Sequence, residues 1–312
     1  MTVDLRCSTQ ARARETNPTG TAVTASVHVL VDTPLPWPAD LAATPEHQAI
    51  AAAAGPGVRV HGVVPSHPVE LGGVGAQKRA STPPSSEEQG VRVVVHVAGE
   101  GAFAGYRRHA TTVASPEGVP DAVRAMLAGA HEEAGTDVLV CGHGARDRCC
   151  GSLGTALFQK VDLPGAGTQI WRSGHLGGHR FAPTAVVLPS GTAWAWLDDE
   201  LLATIVERSR PPVDLIAHYR GSTAVAHPAG QVAEAAVLAL VGWSWLDGPR
   251  SVAITGGTSA TEWEVRVTGA GAAWHARVRE IGRLPQPVCG SDEPGRKDDP
   301  ILDLIDLVEE RP

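Results

Sequence analysis

The residues best suited to chemistry sit in two short stretches. Three of the chain's five cysteines, Cys141, Cys149 and Cys150, fall within ten residues in Val140-Cys-Gly-His-Gly-Ala-Arg-Asp-Arg-Cys-Cys-Gly151. The second stretch, Ser173-Gly174-His175-Leu176-Gly177-Gly178-His179-Arg180, carries two histidines four apart. A disulfide framework would be spread along the chain, whereas clustered thiols near imidazoles point to metal or redox chemistry. Soft thiolates and imidazoles on neighbouring loops make a four-ligand set for a transition metal or a cluster. Gly174, Gly177 and Gly178 argue for a tight loop around His175 and His179 with its backbone close to something bulky. A zinc-protease helix would need Glu beside the first histidine, where Leu176 stands.

Competing nucleophilic readings fail on spacing. A phosphatase loop needs Arg six positions after its Cys, but Arg146 and Arg148 fall either side of that position. No Cys-x-x-Cys, no Gly-x-Ser-x-Gly and no Walker loop is present. Zinc satisfies the same donors as an iron–sulfur cluster and stays open on the residues alone. A thiol–disulfide enzyme using Cys149 and Cys150 would leave the histidine loop without a purpose. Cys7 and Cys289 stand alone in the sequence and read as idle thiols.

Both stretches follow apolar runs that read as strands, so the elements should place them at strand ends, where sites in α/β folds lie. Alternation and turn signals predict strands at Ala25–Val31, Val58–Val64, Val91–Val97 and Gly105–Ala110, with helices at Pro45–Ala54 and Pro120–Ala134. Residues 1–20 read as an extended lead-in and 65–90 as a long loop. The second half repeats the order. It has strands at Asp137–Val140 and Thr168–Arg172, a strand pair at Thr184–Leu188 and Ala193–Leu197, and helices at Ser152–Val161, Asp199–Arg208 and Gln231–Trp243. Strand–helix–strand followed by a hairpin and a helix is the thioredoxin-like order, and its occurrence twice suggests a duplication in which only the second copy kept ligands. Residues 250–280 read as a short β segment and Ile301–Val308 as a final amphipathic helix.

The segments Cys141-Gly-His-Gly-Ala-Arg-Asp-Arg-Cys-Cys150-Gly and His175-Leu-Gly-Gly-His179-Arg-Phe-Ala-Pro-Thr resemble the signature of the sucrase/ferredoxin-like family. The resemblance runs over roughly residues 1–245 and includes the stretch Tyr219-Arg220-Gly221-Ser222-Thr223. It implies a [2Fe–2S] cluster bound by two Cys on one iron and two His on the other. The matching positions are Cys141, Cys150, His175 and His179; Cys150 fits better than Cys149 because it precedes a Gly and stands nine after the first Cys. His143, Arg146, Asp147, Cys149, Gly177 and Gly178 then become supports of the ligand loops, with His143 hydrogen-bonding a sulfur or the loop and Arg146 pairing with Asp147. Cys141-x-His143 mimics half of a Rieske motif, but no second Cys-x-x-His completes it.

The expected architecture is α/β: a thioredoxin-like ferredoxin domain at 135–247, a degenerate thioredoxin-like domain at 1–134 before it, and a small C-terminal β extension at 248–312. The expected activity is one-electron transfer, coupled to protons through the histidine ligands, with a separate reductase or acceptor protein as partner because no flavin or nicotinamide fingerprint is visible. A structural Cys2His2 zinc site and a cluster-based redox sensor are the alternatives, and an electron carrier is favoured over a self-contained catalyst. No carboxylate pair for glycoside hydrolysis stands out. A formal charge of −8 without a dense Lys/Arg stripe argues against nucleic acid and anionic membranes as partners. With no apolar run long enough to span a bilayer and no signal-peptide pattern, a cytoplasmic location is expected.

Overall fold

The protein is described from a computed structural model covering residues 6–65, 90–129, 132–163, 167–290 and 293–310. In chain order its elements are α1 (Cys7–Ala13), β1 (Val27–Asp32), α2 (Pro45–Ala54), β2 (Val58–Pro65), β3 (Val91–Ala98), β4 (Tyr106–Val113) and α3 (Val119–Leu127). The second half continues with β5 (Thr136–Cys141), α4 (Thr155–Lys160), β6 (Thr168–Ser173), β7 (Ala185–Leu188), β8 (Thr192–Trp194), α5 (Asp199–Glu207), β9 (Tyr219–Ser222) and α6 (Pro228–Val241). Four strands follow: β10 (Arg250–Ser259), β11 (Glu262–Gly269), β12 (Ala272–Pro287) and β13 (Pro294–Glu309).

Local chemistry sets many of these boundaries. The Thr44 side chain accepts from the His47 backbone N–H and Pro45 follows at the first helical position, so α2 starts where the sequence predicts. Asp198 caps α5 in the same way, accepting from Leu201. His227 Nδ1 does so for α6, ahead of Pro228.

Nine strands form one mixed sheet in the order β4-β3-β1-β2-β6-β5-β7-β8-β9. Its halves share a connectivity: the first strand pairs in parallel with the second and antiparallel with the third, which pairs antiparallel with the fourth. The halves join through the short antiparallel pairing of β2 with β6, at Val63↔Ser173 to Pro65↔Trp171.

Alternation along the strands separates three cores. Val27, Val29 and Val31 of β1 with Val93 and Val95 of β3 pack under α2 and α3. Val138, Val140 and Ile170 face the opposite helical layer, α4 to α6. The alternate residues Leu30, Val94, Leu139, Cys141 and Trp171 share a third core belonging to both halves. The sheet curls round this third core, because Tyr106 at the start of β4 bonds the Pro189 carbonyl and the Thr223 hydroxyl near the opposite edge. The remaining four strands form an antiparallel sheet packed on α6 through Val265, Val267, Trp274, Ala276 and Val278.

The structure corrects four expectations. The lead-in contains α1, whose buried Cys7, Ser8 and Ala11 pack on the turn at His179–Phe181; tertiary contact overrides a weak local signal. The third helix ends at Leu127, before Gly129 at φ +104, rather than at Ala134. The helix after the cysteine loop opens with a π-helical turn at Cys150–Gly154. Ile301–Val308 is a strand, since β12 offers an antiparallel edge that pairs His275 with Val308 and Glu280 with Leu302. The predicted loop at 65–90 lies almost wholly outside the described residues.

Candidate metal centre

The cysteine loop leaves the C-terminal end of β5 and the histidine loop leaves that of β6. The two strands run parallel with Cys141 beside Ser173, so both loops emerge at one end of the sheet. The turn at Cys150–Gly154 then folds back on the strand end. A Cβ on Gly154 would sit 1.7 Å from the Cys141 carbonyl oxygen, so only glycine permits this approach. That fold-back returns Cys150 to Cys141.

Cys141, Cys150 and His175 bring one ligand atom each within 4.8 Å of one another. Both thiols are fully buried, whereas His175 is partly exposed. His175 Nδ1 is buried with no hydrogen-bond partner among the described residues, a polar atom for which a ligand would account. His179 stands beside this triad, its ring centroid 6.4 Å from that of His175. Its Nδ1 lies 3.1 Å from Asp147 Oδ2 and 3.1 Å from Cys7 Sγ, which leaves Nε2 as its ligand atom. The four expected ligands therefore lie around one spot, three in mutual reach and the fourth adjoining.

The supporting residues behave differently from expectation. Asp147 does not pair with Arg146. Its Oδ1 accepts from the backbone N–H groups of Cys149 (2.8 Å) and Cys150 (3.2 Å), and its other oxygen faces His179. Burial pushes the Asp147 carboxyl up, but the bond from His179 and those backbone donors outweigh it and hold it below the usual carboxylate range. His143 bonds the Pro38 carbonyl at 2.8 Å rather than a sulfur, with Trp37 edge-on to its ring. Gly178 takes φ +69, and a Cβ there would meet the Arg220 guanidinium at 2.6 Å. Cys149 points away from the triad, towards Cys7 and Cys289.

Three arginines surround the triad. Buried Arg220 donates to the Gly177 carbonyl at 3.1 Å and to the Thr21 hydroxyl at 3.1 Å, fixing the histidine loop from below. Arg59 donates to the His175 carbonyl at 3.0 Å, and Arg172 to the Gly142 carbonyl at 2.9 Å. Burial pulls Arg220 down to about 9, while the neighbouring Cys141 and Cys150 act in the opposite direction. Cys141 is held well below the usual thiol range by bonds from Cys150 and His175 and by the Leu176 backbone N–H. Hydrogen bonding to Cys141 pushes Cys150 up correspondingly, so the pair shares one readily formed thiolate.

Arg180 carries the loop outward, donating to Asp299 of β13 at 2.6 Å. Arg220 was visible in the Tyr-Arg-Gly-Ser-Thr stretch but not as a support of the histidine loop. Nothing in the sequence marks Arg59, Arg172, Cys7 or Cys289, which only the fold brings here. Residues 18–221, more than half of the chain, match the sucrase/ferredoxin-like family. The chain belongs to that family. The matched segment contains Cys141, Cys150, His175, His179 and Arg220, while Cys7 and Cys289 lie outside it. No curated protein and no solved structure matches the chain.

Proposed function

We propose that this sucrase/ferredoxin-like protein is a one-electron carrier whose Cys141, Cys150, His175 and His179 hold a [2Fe–2S] cluster. The observation that carries the proposal is the convergence of two buried thiols and the His175 ring, with its Nδ1 buried and unpartnered, at the ends of two parallel strands, with His179 alongside. The shared connectivity of the two half-sheets further supports reading each half as a thioredoxin-like unit, the second bearing the ligands.

When bound, the cluster would accept and release a single electron. The chain's own residues set how easily. Two thiolates and two neutral imidazoles place two fewer negative charges on the group than four thiolates, and Arg59, Arg172 and Arg220 add positive charge nearby. Both effects favour the reduced state, so the potential lies above that of an all-cysteine site. His175 and His179 are the partly exposed members of the set, and a separate reductase or acceptor would dock on their side. Asp147 Oδ2 lies 3.1 Å from His179 Nδ1, the ring nitrogen that would remain free with Nε2 on the cluster and through which electron uptake would be linked to pH.

The compact triad would also suit one zinc ion, and the same experiment separates the two. The test is a visible spectrum of anaerobically purified protein with iron, sulfide and zinc assayed on one sample. The expected result is charge-transfer absorption that bleaches with dithionite, with about two irons and two sulfides per chain. His175→Cys and His179→Cys should each lower the potential. Colourless protein carrying zinc at Cys141 and Cys150, or no metal after anaerobic reconstitution, would overturn the reading.

A further inference from the structure

Three cysteines from remote parts of the chain meet beside the centre just described, and the proposed electron carrier uses none of them. Cys7 opens α1, Cys149 lies in the turn after β5, and Cys289 lies in the turn between β12 and β13. Their sulfurs form a triangle of 3.3 Å (Cys7–Cys149), 3.0 Å (Cys149–Cys289) and 3.1 Å (Cys289–Cys7). An Asp147 carboxylate oxygen and the three sulfurs all lie within 4.8 Å of one another. Cys7 and Cys149 are fully buried and Cys289 partly so.

Thiols are weak donors and acceptors, so hydrogen bonding among three of them gives little reason to assemble the triangle from segments about 140 and 282 residues apart. A disulfide would join two of the sulfurs and strand the third. A single thiophilic cation engages all three at once. Backbone N–H groups already point at the sulfurs: Cys7 donates to Cys289 Sγ at 3.4 Å, and Ser8 donates to Cys149. Such donors spread the charge of metal-bound thiolates.

We propose that Cys7, Cys149 and Cys289 form a second metal site, a three-thiolate site for a zinc-class cation with the Asp147 carboxylate at its fourth position. Zinc matches the donor set because it takes Cys sulfur and Asp oxygen in four-coordinate sites. The site would clamp α1 and the β12–β13 turn onto the ligand loop, joining both ends of the chain to the family segment. It shares none of the four proposed cluster ligands and meets their side chains at His179, whose Nδ1 lies 3.1 Å from both Asp147 Oδ2 and Cys7 Sγ.

The test uses the full-length protein purified anaerobically, with Zn2+ as the probe. About one zinc per chain should be present or taken up. Cys7→Ser and Cys289→Ser should each weaken zinc retention against a chelator by at least about tenfold, and in Cys289→Ser iron content and visible absorption should persist. In the wild-type protein, which avoids any folding defect of the variants, zinc should shield Cys7, Cys149 and Cys289 together from iodoacetamide, and its removal should expose all three. Zinc retained equally by both variants, three thiols that react independently of zinc, a disulfide between two of them in the intact mass, or loss of iron in Cys289→Ser would overturn the site. Absence of iron with cysteine-dependent zinc would overturn only the electron-carrier proposal.

Discussion

At the scale of single residues, Arg220 is the support whose removal should be felt most. Its buried guanidinium bonds the Gly177 carbonyl and both the hydroxyl and carbonyl oxygens of Thr21, so it ties the histidine loop to the chain entering β1. Truncation to Ala strands those acceptors, and a buried acceptor left unpaired costs about 1–3 kcal/mol. Arg220→Ala is therefore expected to lower the free energy of unfolding by about 3 kcal/mol, read from urea melts, and to speed loss of visible absorbance when chelator is added. Arg220→Lys should recover only part of this, because a point-like ammonium cannot span acceptors arranged for a planar fork. A lysine variant matching wild type in both measurements would show that charge alone, not the fork, supports the loop. The ligand candidates were legible from residue type and spacing because a cluster of Cys and His is rare and local. The arginines were not, since an arginine on a strand has the same appearance in sequence whether it faces water or a candidate ligand loop.

At the scale of elements, β5 carries the cysteine loop and is anchored by Asp137 near its start. Three donors from three strands reach this fully buried carboxylate: His96 Nε2 of β3 at 2.8 Å, Arg108 Nε of β4 at 2.7 Å and Trp171 Nε1 of β6 at 2.7 Å. The group crosses the third core and ties the outer strands of the first half to the ligand-bearing strands of the second. Burial keeps His96 below its usual range despite the Asp137 bond, so Arg108 is the charged partner. Burial pushes Asp137 up, but the His96 and Arg108 interactions outweigh it and bring the carboxyl to about 2. An unfolded Asp titrates near 4, so the folded value is depressed: the contribution is present above about pH 4 and is lost as pH falls towards 2. It amounts to about 2–3 kcal/mol. In stability measured against pH, Asp137→Asn should lie below wild type at pH 7 and approach it as pH falls from about 5 to 2; a constant gap would rule out the ionised carboxylate as the source. Element positions were readable where caps and alternation agreed, as in α2. They failed at α1 and β13, whose state is decided by partners far along the chain.

At the scale of the whole molecule, the question is whether the C-terminal sheet is an appendage or part of one cooperative unit. Its inner face and the helical layer of the second half form a single core: Val265, Val267, Trp274 and Val278 pack with Leu238, Trp245, Leu202 and Val140, the last on the strand that leads into Cys141. Trp245 and Trp274 meet edge to face at 5.9 Å. Trp245 also donates to buried Glu234 of α6, which accepts from Tyr219 of β9 as well. The C-terminal sheet further reaches the candidate centre through Asp299 with Arg180 and through Cys289. An element that shares a core and a set of polar contacts with its neighbours gains nothing by unfolding alone, so the chain should unfold in one transition. Trp274→Ala removes a large buried ring and should cost about 3–5 kcal/mol. Its effect should shift the loss of far-ultraviolet circular dichroism and the loss of visible absorbance by the same increment of urea. If the variant instead gave an early fluorescence transition while the absorbance of the proposed cluster kept its wild-type midpoint, the C-terminal sheet would be an independent domain, and the contacts of Asp299 and Cys289 with the candidate centre would contribute little to its stability.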